Sequence, residues 1–394
     1  MSIKNFLLKA VPLSQHKKEK VAEVEKFLEK KDVEDVKNLL RLGKVKINNF
    51  SFGLSKHVLF NTDYPHIYTD TLRKEDDSLH KKIDELNLKI KDGAKKFYFK
   101  EFAKTSDKSF PKIIASEIVG NENIKEAVAL QLFTKEKIHI LLLGDPGTGK
   151  TDIIRSASNI APISSFGLGS GTSGVGLSVT FKGKDMVKGI IPMANEGICC
   201  IDELNLMKEE DMAALYSAME KGFITYDKGG KHVTLDAKIN VLATANPKGD
   251  RFTKWDIDTI KKQIPFDQAL MTRFHVVFLV KKPGVEEFEK ISKKIVSHKE
   301  EKFEADYAFL KEYVSIAREL TVHIPEELEN EVVKIANSLK SDEDKLLFEV
   351  NPRIVHGLLR LLKASARMNM RKTATIDDVK RVERIVKQSF YFQN

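Results

Sequence analysis

Apolar residues recur at helical spacing, with lysines between them, through the first stretch of the chain. Val21, Val24, Phe27 and Leu28 share one face between Ser14 and Lys31, which predicts a charged amphipathic helix. Val33, Val36, Leu39 and Leu40 repeat the pattern after Asp32, a capping residue, and Gly43 ends it. From 44 to 71 the period shortens, and KVKI, HVLF and HIYT read as strands punctuated by Asn, Asp and Pro. A helix follows over Asp77 to Asp92, closed by Gly93, and KKFYFKEF at 95–102 alternates as a half-exposed strand does. Its lysines and aromatics suit a grip on single-stranded nucleic acid; the plainer alternative is a strand with an aromatic core face.

The polar run from Thr105 to Pro111 reads as a linker. Beyond it, helical patterns alternate with short apolar strands as far as about residue 283, the signature of a parallel sheet with helices on both faces. From Gly284 onward every signal is helical. Pro325 opens one helix with the stripe Leu328, Val332, Ile335 and Leu339. A second carries Ile354, Val355, Leu358, Leu359 and Leu362, and a last one starts at Thr375 with Asp377 and Asp378 in its first turn. The expected organisation is a small α+β domain at 1–105, a linker at 106–111, an α/β core at 112–283 and a helical segment at 284–394.

Composition adds limits. With 394 residues, 42% hydrophobic and 31% charged, two or three ordinary soluble domains are expected. No apolar run is long enough to span a membrane, and MSIKNFLLKAVPL lacks the cleavage site of a signal peptide. Cys199 and Cys200 are adjacent inside an apolar run, so neither a structural zinc site nor an unstrained disulfide is expected, and a reducing, cytoplasmic location is. The net charge of +9 tilts the balance toward a polyanionic partner.

The chemistry is concentrated at 138–151, IHILLLGDPGTGKT. An apolar strand gives way to G-x-x-x-x-G-K-T and then to a helical pattern. The cradle predicted to hold a nucleoside triphosphate is Gly144, Asp145, Pro146, Gly147, Thr148, Gly149, Lys150, Thr151 and Asp152. The glycines let main-chain N–H groups turn inward onto phosphate at a helix N-terminus. Lys150 is expected to reach the terminal phosphates and Thr151 to ligate Mg2+. A second apolar strand, Gly197 to Ile201, ends in Asp202, a metal ligand beside Thr151, and Glu203, placed to orient or deprotonate the attacking water. A third, Ile239 to Ala245, ends in Asn246, which reads equally as a phosphate or water contact and as a turn asparagine.

These segments, with IVGNENIKEAVALQLF (118–133), NIAPISSFGLGSGTSGVGLSVTF (159–181), LYSAMEKGFITYDKGGKHVTLDAKINVLATANPKGDRF (215–252), LMTRFHVVF (270–278) and ARMNMRKTATIDDVKRVERI (366–385), resemble the minichromosome maintenance (MCM) branch of the AAA+ ATPases over roughly 115–388. The resemblance implies a P-loop AAA+ sheet with an all-helical lid. It makes Asn246 the sensor of the terminal phosphate. Arg273, in Thr-Arg-Phe, becomes the arginine finger given to a neighbouring subunit, and Arg353, in Asn-Pro-Arg, the lid's sensor arginine, also supplied across the interface. A ring, expected to be hexameric, follows from sites completed in trans. Two hairpins are implied to face DNA in the ring's channel, one with Lys228 and Lys231 and one with Lys182 and Lys184. The phosphate loop is Gly-Thr-Gly-Lys-Thr where the family usually has Gly-Thr-Ala-Lys-Ser, the N-terminal region is short and lacks zinc cysteines, and no winged helix is seen. The implied activity is ATP-driven translocation on, or unwinding of, DNA. A MoxR- or magnesium-chelatase-like remodeller and an accessory, non-motor subunit are the alternatives.

Overall fold

The computed structural model describes residues 13–51, 63–70, 77–170, 174–182, 185–228, 231–297, 307–347 and 349–391. The chain forms two compact units, the first ending at Thr105 and the second starting at Ser106.

In the first unit, α1 (Gln15–Glu25) and α2 (Lys30–Arg41) precede an antiparallel pair, β1 (Lys46–Ser51) and β2 (Asp63–Tyr68), and then α3 (Asp77–Ala103). Val24, Val36, Ile47, Ile67, Ile83 and Ile90 lie in one apolar cluster. Asn87 holds the edge of β2, accepting from the Ile67 N–H at 2.8 Å and donating to its carbonyl at 2.7 Å. The expected strand HVLF at 57–60 lies outside the described residues.

Asp32 does not cap α2 but lies in its first turn, since the helix already begins at Lys30 after Glu29, and two further expectations fail here. Helix α3 does not stop at Gly93, and 95–102 is helical, not a strand. The buried residues Ile83, Leu86, Ile90, Ala94, Tyr98 and Phe102 keep a single stripe through the segment. Three successive aromatics disguise that stripe as an alternation of period two. Gly93 is there because of a close approach: a Cβ at that position would lie 2.1 Å from the Phe27 carbonyl oxygen.

The second unit opens with α4 (Ser106–Ile113), so the segment expected to be a linker is a helix with Pro111 inside it. Its polar composition conceals a buried face of Ser106, Ser109, Phe110 and Ile113, and Phe110 packs edge-on against Phe133. Next come α5 (Glu122–Leu132), β3 (Ile140–Gly144), α6 (Lys150–Ile160), β4 (Ser164–Leu168), α7 (Gly174–Leu177), β5 (Val179–Lys182), β6 (Asp185–Lys188) and α8 (Ile190–Met193). They are followed by β7 (Ile198–Asp202), α9 (Glu209–Lys221), β8 (Phe223–Lys228), β9 (Lys231–Asp236), β10 (Asn240–Ala245), α10 (Ile257–Gln263), α11 (Gln268–Met271), β11 (Val276–Val280) and α12 (Val285–Ser297).

Five of these strands form a parallel sheet in the order β11-β3-β10-β7-β4. Every residue of β3, β7 and β10 is buried, as in a sheet covered by helices on both faces. Cys199 and Cys200 sit in the middle of β7, fully buried, and burial pushes the Cys199 thiol up to about 12 and the Cys200 thiol higher still. A helical lid of α13 (Tyr307–Arg318), α14 (Glu326–Ser341), α15 (Arg353–Met368) and α16 (Ile376–Phe390) completes the unit. Thr375 and Asp378 close a capping box at the start of α16. Arg381 ties that helix to the core through Asp107 at 2.6 Å and Glu126 at 3.0 Å. Among the described residues no helix is long and apolar enough to cross a membrane, and no group of His, Cys, Asp and Glu is arranged to hold a metal.

Candidate nucleotide site

Strand β10 lies between β3 and β7, so the chain's three informative strand ends stand side by side. At the end of β3, Gly144 runs so close to β11 that a Cβ there would sit 2.0 Å from the Val280 carbonyl oxygen. The loop then turns through left-handed backbone at Gly147 (φ 75°) and Gly149 (φ 79°). The Lys150 ammonium is enclosed by this loop and donates to the Gly144 and Asp145 carbonyls at 2.8 and 2.7 Å. Burial pushes its pKa down to about 8, against the pull of Asp145, Asp202 and Glu203. Asp145 accepts from the Phe252 N–H at 2.9 Å, which fastens the loop to the segment after β10. Asp152 is exposed in the first turn of α6.

The ends of β7 and β10 join this loop by hydroxyl groups. Thr151 Oγ1 donates to Asp202 Oδ1 at 3.2 Å, and Thr244 Oγ1 donates to the same oxygen at 2.5 Å. Thr244 in turn accepts from the Glu203 N–H at 2.9 Å. Glu203 has left-handed backbone (φ 54°), which turns it out of the strand directly after Asp202. Asn246 is tethered through its N–H to Asn205 Oδ1 at 2.9 Å. Thr244 and Asn205 escaped the sequence reading. Thr244 and Asn246 do carry a signal, since polar residues two apart at the end of an apolar strand share a face. The hydroxyl of Thr151 and the carboxylate of Asp202 are hard oxygen donors in mutual contact, a set that fits a divalent cation with several ligands left to water or phosphate.

The two arginines lie elsewhere. The register Val276↔Ile140 to Val280↔Gly144 sets the starts of β11 and β3 together, and Arg273 precedes β11 while Lys150 follows β3. The length of a strand, about 16 Å at roughly 3.3 Å per residue, separates the two ends. Arg273 Nη2 pairs with Glu220 Oε2 at 2.7 Å, and its guanidinium lies over the Tyr216 ring, 4.9 Å from the centroid. Arg353, the first residue of α15, places Nη2 3.7 Å from Glu220 Oε1. Both line a cleft of about 160 Å³ with Lys137, His275 and Arg360. Burial, reinforced by Arg360 and its neighbours, drives the His275 pKa down to about 3. Thus Lys150, Thr151, Asp202 and Glu203 come together at one end of the sheet, and Arg273 with Arg353 at the other.

Of the expected hairpin lysines, Lys228 and Lys231 are directly paired across β8 and β9. Lys182 ends β5 opposite Asp185 of β6, and Lys184 lies outside the described residues.

A glycine loop that turns a parallel strand into a helix around an enclosed lysine, with a helical lid beside it, puts the protein among the P-loop ATPases. Within that class the chain belongs to the MCM family. The model of the MCM P-loop domain matches residues 97–299, and that of the MCM AAA-lid domain matches 308–390. The chain is 30% identical to the DNA replication licensing factor MCM4 of Drosophila melanogaster, over 70% of this chain and 35% of that protein. It is 32% identical to the DNA replication licensing factor mcm7 of Schizosaccharomyces pombe, over 71% of this chain and 40% of that protein. It therefore spans well under half the length of these relatives.

Proposed function

We propose that the protein is an ATP-driven ring motor acting on DNA, with residues 112–283 as the ATPase core and 284–394 as the lid. The observation that carries this reading is the separation of the two half-sites, with Lys150 and the acids at one sheet end and Arg273 with Arg353 at the other. A triphosphate held by one subunit then meets the arginines only of another. The loop from Gly144 to Thr151 wraps the phosphates and Lys150 fixes the terminal one. Thr151 and Asp202 would hold Mg2+, which would supply neutralisation of phosphate charge. Glu203 orients or deprotonates the attacking water, Asn246 holds the terminal phosphate, and the neighbour's Arg273 and Arg353 stabilise charge on the leaving group. Closing such sites in sequence makes a ring, for which we favour six subunits. Lys228, Lys231, Lys182 and Lys184 follow DNA phosphates without reading bases.

ATP hydrolysis by the assembled protein should rise on adding single-stranded DNA, and the stimulation should fade steeply across a salt series from about 50 to 200 mM as phosphate contacts are screened. Hydrolysis indifferent to DNA at low salt, but stimulated by a protein partner, would instead indicate a remodeller.

The lysine itself predicts a pH dependence. With a pKa near 8, Lys150 is charged below that value and loses its proton as the pH rises through it. A phosphate beside it favours the charged form, so nucleotide binding takes up protons above about pH 8 and weakens there. Calorimetric titration with ATP in two buffers of different ionisation enthalpy measures both effects. An affinity independent of pH from 7 to 9.5 would contradict the assignment.

A further inference from the structure

We propose that Glu220 is a positioning residue of the arginine half-site: its carboxylate bridges Arg273 and Arg353, one oxygen to each, and sets the spacing at which both face a triphosphate held by the next subunit. The inference rests on the ring reading above.

The two arginines come from unrelated elements, Arg273 from the turn before β11 and Arg353 from the start of the lid helix α15. Arg353 Nη1 reaches the Thr272 carbonyl, beside Arg273, at 3.4 Å, but this long contact carries no full negative charge to offset the repulsion of the two guanidiniums with each other and with Lys137 and Arg360. Glu220 is the one acid lining this cleft among the described residues. Its Oε2 meets Arg273 Nη2 at 2.7 Å and its Oε1 lies 3.7 Å from Arg353 Nη2. The hydrogen bond from Arg273 also holds the Glu220 carboxyl below the ordinary range, so it stays charged at neutral pH.

The backbone beneath this carboxylate is fixed. Glu220 is the penultimate residue of α9, and Gly222 caps that helix with left-handed backbone and an N–H bonded to the Ala218 carbonyl at 3.1 Å. Lys137 Nζ donates to the Glu220 carbonyl at 2.7 Å. Tyr216, one turn earlier on the same face, carries the Arg273 guanidinium 4.9 Å from its ring centroid. One helix end thus offers Arg273 both a stacking surface and an anion. A guanidinium has five N–H donors, and Arg273 spends them on Glu220 and the Ala269 carbonyl with some left over for phosphate oxygens.

The test is Glu220→Gln, which keeps the shape and removes the charge, assayed as the full chain. The expected result is ATP affinity within about twofold of wild type, unchanged KM, and kcat lowered about 10²-fold, the scale of a misplaced reacting group. Glu220→Gln is then mixed with Glu203→Gln, and Arg273→Ala is mixed with Glu203→Gln in parallel. Recovery of hydrolysis in both mixtures supports the proposal, because the Glu203→Gln subunit lends an intact bridge and intact arginines to its neighbour's intact acids. Recovery with Arg273→Ala but not with Glu220→Gln overturns the positioning role and leaves the shared site standing. Failure of the Arg273→Ala mixture overturns the shared site and the proposal with it, and a wild-type kcat for Glu220→Gln alone overturns the proposal directly.

Discussion

Lys150→Ala is expected to abolish ATP turnover, lowering it on the order of 10³-fold or more in a phosphate-release assay. The ammonium is the cation enclosed by the loop that follows β3, and its removal leaves that loop with only main-chain amides to offer the phosphates. Binding of a fluorescent ATP analogue should weaken in parallel, because the proposed mechanism has the lysine contact the nucleotide before and during reaction. The fold should persist, although the Gly144 and Asp145 carbonyls each lose a hydrogen bond worth roughly 1 kcal/mol. Wild-type turnover by this variant would remove the cradle from the mechanism.

Arg273→Ala should give the opposite split. Nucleotide binding stays near wild type, since Arg273 stands at the far end of the sheet from the loop that binds it. Hydrolysis falls on the order of 10³-fold, the loss associated with withdrawing an arginine finger. Mixing this variant with Glu203→Gln should restore part of the activity, because each chain supplies what the other lacks. If hydrolysis survives in Arg273→Ala at the wild-type rate, charge on the leaving group is stabilised by something else.

The turn from Gly144 to Thr151 is legible because its geometry is local: glycines and one lysine in fixed spacing define a strand-to-helix loop without knowledge of any neighbour. The same holds for the all-helical lid, whose apolar stripes repeat at helical period. What could not be read depends on contacts distant in sequence. Thr244 meets Asp202 only when β10 is laid beside β7, and Glu220 meets Arg353 only when a lid helix brings that arginine there. Gly93 illustrates a glycine whose meaning lies in a neighbour: it reads as a stop, yet it admits the Phe27 backbone against an uninterrupted helix. The helix at 106–113 was hidden because its buried face includes two serines.

The paired thiols of β7 have a practical consequence. Thiolate is the form that alkylating and maleimide reagents attack, and two side chains shut inside a sheet with protons held this tightly offer almost none at neutral pH. To such reagents the folded protein behaves as a cysteine-free background. A single reporter dye or spin label can be attached at an introduced surface cysteine with both native sulfurs left in place.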